Sequence, residues 1–238
     1  MENKKLIIAN MKMNMTLDDV IEYTSNMKKY NNVIYCPSSL YTAYFIDSNF
    51  NVGIQNISEF ESGSYTGEIS AKQAYSLGIK YVIIGHSERR INYHETDDII
   101  NKKIKNCLNN NMKAIFCVGE TLVERKTKVE KDKIKLQLLN GLKNIDKKYC
   151  DNIYISYEPI WAIGTGKIPD EKDIISMINF IKETVNNAFN FIPCVLYGGG
   201  ITDKNIEQLN NISGLDGFLV GSTSLNHDRF IKLVEAVN

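Results

Sequence analysis

The chain has 238 residues, 43% hydrophobic and 24% charged, which is ordinary for a globular protein whose core needs no staples. Its 28 basic residues are matched by 28 acidic ones, so no overall field favours nucleic acid or a membrane surface, and any anion site must be local. Five cysteines without CxxC or metal-type spacing predict free thiols in a reducing compartment, the cytoplasm; the first apolar run is too short for a signal peptide, and none approaches the ~18 residues of a membrane helix.

The first apolar run, LIIAN (6–10), is followed by Thr16 with Asp19 three residues on, a capping pattern. Leu17, Val20, Ile21 and Met27 then recur at helical spacing, which predicts a helix burying that stripe. VIYCP (33–37), VGIQNI (52–57), YVIIG (81–85), AIFCVG (114–119) and IYISYE (153–158) come next. Pro169 and Asp170 open a helical segment with Ile174, Met177, Ile178, Ile181 and Val185 on one stripe. CVLYG (194–198) precedes a helix in which Thr202 leads to Ile206 and Leu209, and GFLVG (217–221) ends the series. The runs are short, rich in β-formers and without alternation, as strands covered on both faces are. Eight such runs alternating with helical patterns predict one α/β domain, a closed (β/α)8 barrel of eight parallel strands ringed by helices. An open doubly wound sheet is the alternative, although it usually has fewer strands.

In a barrel of this kind, chemistry sits where the strands end. Asn10 and Lys12 follow the first run, His86 and Glu88 the fourth, and Glu120 the fifth. Glu158 ends the sixth, Gly198-Gly199-Gly200 follows the seventh, and Gly221-Ser222 the eighth. Singly, each could be something plainer: a solvated lysine, a strand-ending acid, a glycine turn. Together on one rim they describe a reaction. Glycine turns offer backbone N–H groups to an anion, which predicts a phosphate site after strands seven and eight. Lys12 would attract the same anion. His86 stands just ahead of a helix start, where the dipole favours a neutral ring that donates to a carbonyl oxygen. Glu158 would then take a proton from the neighbouring carbon. The set fits enolisation of a small phosphorylated ketone or aldehyde.

The motifs NMKMN, GHSERR, CVGE, YEPIWAIGTGK, YGG and GFLVG, from Asn10 to Leu225, resemble the triosephosphate isomerase family in order and spacing. The resemblance implies a TIM barrel that interconverts dihydroxyacetone phosphate and D-glyceraldehyde 3-phosphate through an enediolate, with no metal or organic cofactor. It makes Glu158 the proton shuttle, His86 the group that polarises the carbonyl, and Lys12 the anchor that stabilises the enediolate charge; a Glu base beside a neutral His is the known arrangement of that family. Asn10 would help place the oxygen and Glu88 would hold Lys12. Pro159 and Trp161 would stiffen one shoulder of a lid whose tip is Gly164-Thr165-Gly166, followed by Lys167, with the Gly164 N–H reaching the phosphate. The loop SGSYTGEIS (62–70), with Tyr65 and Thr66 at its tip, matches one that enters a neighbouring subunit, so a homodimer is expected.

Three positions depart from the family. Met11 stands where an aromatic is usual, which concerns packing. Gly200 stands where a serine is usual and Ser222 where a second glycine is usual. Both flank the expected phosphate, alongside Gly221, so the Ser222 hydroxyl is expected to supply the contact that Gly200 lacks. Two rivals remain: a barrel aldolase with a Schiff-base lysine, for which Lys12 has no apolar pocket, and a silent relative that only binds, against which the intact Lys12, His86 and Glu158 argue.

Overall fold

The computed structural model describes residues 4–165 and 168–238. Eight strands form one parallel sheet: β1 (Leu6–Asn10), β2 (Val33–Cys36), β3 (Gly53–Ile54), β4 (Tyr81–Ile84), β5 (Lys113–Val118), β6 (Ile153–Tyr157), β7 (Cys194–Tyr197) and β8 (Gly217–Val220). Their order is β2-β1-β8-β7-β6-β5-β4-β3, and a parallel bridge between Tyr35 and Val52 brings the two edges together. The result is the expected (β/α)8 barrel. The third strand is shorter than its apolar run, because only Gly53 and Ile54 pair with β4.

The surrounding helices are α1 (Leu17–Asn26), α2 (Thr42–Asp47), α3 (Ala71–Ser76), α4 (Ser87–Asn92), α5 (Asp97–Asn109), α6 (Leu122–Lys126), α7 (Glu130–Gly141), α8 (Glu171–Phe189), α9 (Ile206–Asn210) and α10 (His227–Val237). Among the described residues, no helix is long and apolar enough to cross a membrane.

The unbroken apolar runs have a simple origin. Along each strand, alternate residues point into the barrel and out toward the helices. Ile8, Ile34, Cys36, Ile83, Ile115, Cys117, Leu196 and Leu219 fill the interior. Their neighbours Ile7, Val33, Val82, Phe116, Val195 and Phe218 pack outward with the helices. Both sets are out of water, so both must be apolar.

Helix starts follow the predicted chemistry. Thr16 and Asp19 form a reciprocal capping box on α1. The stripe on α8 is buried as expected, from Ile174 to Val185. On α1 the expected stripe is only half right. Val20 and Met27 are buried, and Tyr23 joins them, but Leu17 and Ile21 are 40% and 47% exposed. The helical spacing marks an apolar arc wider than the arc the barrel covers.

Candidate active site

Asn10, Lys12, His86, Glu158, Gly164, Gly200, Gly221 and Ser222 line one cavity of about 390 Å³ at the carboxyl ends of the strands. Residues separated by most of the chain therefore converge as the sequence implied. Glu88 lies just outside, facing a second cavity that shares Lys12 and His86.

Glu158 follows β6 directly, and its N–H donates to the Val118 carbonyl at 2.8 Å. The side chain is 2% exposed. Gly198 makes room for it: a Cβ at that position would lie 2.8 Å from Glu158 Cγ. Oε1 accepts from the Ser156 hydroxyl at 3.3 Å. Oε2 is buried and has no hydrogen-bond partner among the described residues. It lies 3.3 Å from His86 Nε2, close but not aligned as a hydrogen bond. A bare carboxylate oxygen in a polar cavity is poised to accept a proton.

His86 caps α4. Its Nδ1 accepts the Glu88 N–H at 3.3 Å. A ring nitrogen that accepts carries no proton, so we assign the neutral tautomer with the proton on Nε2, on the side of Glu158. The expectation of a neutral ring ahead of a helix start thus has a direct geometric counterpart. Glu88 Oε2 stands 3.7 Å from the same Nδ1.

Lys12 Nζ pairs with Glu88 Oε1 at 2.5 Å, as the resemblance implied. The backbone of Lys12 has φ of +53°, which residues other than glycine rarely adopt. Two contacts hold it there. Its N–H donates to Asn10 Oδ1 at 3.2 Å, and its carbonyl accepts from Gln55 Nε2 at 2.8 Å. Gln55 does not stand out in the sequence; the one signal is an amide inside the apolar run VGIQNI.

The glycine turns after β7 and β8 are tied to each other. Thr223 Oγ donates to the Ile201 carbonyl at 2.8 Å, and Asn205 Nδ2 donates to the Gly200 carbonyl at 2.9 Å. Gly200 has φ of +59°, a conformation that accounts for a glycine there. Ser222 is exposed and lines the cavity beside Gly221.

The loop after Glu158 has the stiff shoulder expected from the sequence. Pro159 leads into a short 3-10 turn, Ile160–Ala162. Trp161 Nε1 donates to Glu120 Oε1 at 2.9 Å, and Tyr157 donates to the same oxygen at 3.2 Å. The Arg125 guanidinium covers the Trp161 ring at 4.9 Å. Burial pushes the Glu120 carboxyl up, opposed by the donors around it, the Trp161 bond foremost. In the sequence Glu120 is one more strand-end acid; in the fold it is the anchor of the loop. Thr165 donates to the Trp161 carbonyl at 3.2 Å, while Gly166 and Lys167 of the expected lid lie outside the described residues.

A closed β/α barrel with a buried carboxylate, an imidazole and a paired lysine around one cavity at the strand ends is the architecture of a barrel enzyme. Comparison with known proteins narrows the class. The pattern of the triosephosphate isomerase family matches residues 5–237. A triosephosphate isomerase of Mycoplasmopsis pulmonis is 40% identical, with 97% of each chain covered. Those of Mesomycoplasma hyorhinis and Alkaliphilus oremlandii are 39% and 34% identical, over 98% and 97% of this chain and 98% of each relative. This chain belongs to the triosephosphate isomerase family. It is an isomerase.

Proposed function

We propose that the chain interconverts dihydroxyacetone phosphate and D-glyceraldehyde 3-phosphate with Glu158 as base, His86 as electrophile and Lys12 as the cation of the site. The observation that carries this reading is the unpaired Glu158 Oε2, buried 3.3 Å from a histidine nitrogen in the cavity that Lys12 also lines.

Glu158 Oε2 takes a proton from the carbon next to the carbonyl. The C–H electron pair becomes the enediolate double bond, and the carbonyl π pair moves onto oxygen. The Nε2–H of His86 donates to that oxygen, and the Lys12 ammonium offsets the charge. His86 Nε2 gives its proton to that oxygen and takes the one on the neighbouring hydroxyl, which moves the charge to the second oxygen. Glu158 then returns its proton to the carbon that bore the carbonyl, and the second oxygen closes the new C=O, which exchanges ketone for aldehyde. Asn10 orients Lys12, and Glu88 holds the ammonium with its carboxylate and the imidazole Nδ1 with its backbone N–H. Gly200, Gly221 and Ser222 cradle the phosphate, and Gly164 reaches it when the loop carrying Pro159, Trp161 and Thr165 closes. Closure excludes water, which strengthens every charge interaction in the site.

The working unit is a homodimer, with the loop tip at Tyr65 and Thr66 of one copy set against the other. The exposed Tyr65 ring, stacked on Phe60 at 3.9 Å, supports this, as do the exposed Met13 and Tyr93 beside the second cavity. Five free cysteines, three of them buried, fit the reducing cytoplasm. The deciding measurement is a coupled isomerase assay on the purified chain and on Glu158→Gln. The wild type is expected to turn over both triose phosphates, with kcat falling about 10²–10⁴-fold in the variant. A fully active Glu158→Gln protein would remove Glu158 from the mechanism.

A further inference from the structure

The barrel interior below the site is mostly apolar, and Ser156 brings a buried hydroxyl into it. Ser156 is on β6, fully buried, in register with Cys117 on β5 and Leu196 on β7. A buried hydroxyl is costly unless it is hydrogen-bonded. Strand alternation puts Ser156 and Glu158 on the same inward side, and the hydroxyl reaches Glu158 Oε1 at 3.3 Å. Ser156 also lies where a Cβ on Gly198 would come within 3.2 Å of its oxygen, so it is walled in on that side.

We propose that Ser156 is a positioning residue for the isomerisation: its hydroxyl holds Oε1 of Glu158 as an acceptor and leaves Oε2 as the oxygen that receives the substrate proton. The inference rests on Glu158 being the base. The asymmetry between the two oxygens is its foundation, since Oε1 has a donor and Oε2 has none among the described residues. A rotation of the carboxylate would exchange them, and the Ser156 bond opposes that rotation. The titratable groups facing the carboxylate are His86 from the end of β4 and Cys117 from β5, with Lys12, paired to Glu88, lining the same cavity from β1. The Cys117 thiol is held protonated by burial first and by the Glu158 charge second, so it adds no competing anion.

The test uses the full-length protein as wild type, Ser156→Ala, Ser156→Thr and Glu158→Gln, each measured for kcat, KM and thermal stability. Ser156→Ala is expected to lower kcat about tenfold with KM little changed, the usual scale for one hydrogen bond to a charged group. Ser156→Thr, which keeps the hydroxyl, should return kcat toward wild type. If the alanine variant does not accumulate, Ser156→Cys, with a weak donor at the same place, should fall between the two. A purely structural role would lower the melting temperature and leave the kcat of the folded protein unchanged while Glu158→Gln is inactive, and that result overturns the proposal. So does a Ser156→Thr protein that is no more active than Ser156→Ala. An active Glu158→Gln would instead sink the base assignment on which both rest.

Discussion

Lys12 shows how the site is assembled at the scale of single residues. Its strained φ of +53° would relax if Gln55 and Asn10 did not hold its carbonyl and amide. The ammonium is thereby fixed on Glu88 at the mouth of the cavity. Ser222 poses a different question. It is exposed beside Gly221 on the rim proposed to hold the phosphate, and its backbone does not share the left-handed conformation of Gly200. Ser222→Gly is therefore expected to raise KM roughly fivefold to tenfold with little change in kcat, since it removes one hydrogen bond to an anion. An unchanged KM would mean that the serine does not compensate for Gly200. The reverse change, Gly200→Ser, is a poorer probe, because its left-handed backbone would strain any side chain. Strand-end residues such as Glu158 and His86 are legible in the sequence because several polar groups end the runs of one barrel, whose strand ends share a rim. Gln55, Ser156 and Thr223 are not. A small polar residue inside or beside a run reads as neutral until its partner across the barrel is known.

At the scale of elements, the loop after β6 is tied to an acid from the loop after β5. Glu120 accepts from Trp161 and Tyr157 at once, with Arg125 at 3.6 Å and over the tryptophan ring. Its carboxyl is fully buried, and burial raises it above the ordinary carboxylate value. The sign follows from the folded state favouring the protonated form. That contribution is complete below the unfolded value and is lost as pH rises through the folded one. Thermal melts of wild type and Glu120→Gln between about pH 4 and 8 should therefore diverge, with the wild type losing stability relative to the variant as pH rises. Parallel curves would show that the neighbouring donors fully offset the burial. Glutamine can still accept from Trp161 Nε1, so a change in kcat in this variant would report on that tie rather than on the fold. The same scale shows where periodicity succeeds and fails. The stripe on α8 is buried from Ile174 to Val185, because that long helix lies along the barrel. On α1, Leu17 and Ile21 continue the pattern into solvent, since spacing identifies an apolar arc without saying what covers it. The short β3 has a related cause: Val52, Ile54 and Ile57 carry the strand-like pattern, but pairing with β4 stops at Ile54, before Gln55 and its two carbonyl partners on Lys12 and Cys36.

The whole molecule leaves one side of this site unfinished. Met13, next to the strained Lys12, is 92% exposed, and Tyr93, which lines the same second cavity, is 63% exposed. Large apolar groups exposed together mark an interaction surface. Beside them is the second cavity, about 450 Å³, which runs from Met13 and Gln55 to Glu88 and Tyr93. At the loop tip Thr66 is exposed, and Tyr65 is partly exposed with its ring stacked on Phe60. A two-fold dimer that seats each such tip in the other copy's cavity would bury Met13 and brace the lysine behind it. Sedimentation of the wild type is then expected to give about twice the 27.1 kDa of the chain. Tyr65→Arg should shift it to single chains and lower kcat/KM by about 10²-fold, the scale of a small misplacement of a catalytic group. Because Tyr65 does not line the catalytic cavity of its own chain, the loss should recede as protein concentration is raised and copies reassociate. A wild type that sediments as one chain with full activity would show that Asn10, Gln55 and Glu88 suffice to hold Lys12 without a neighbour.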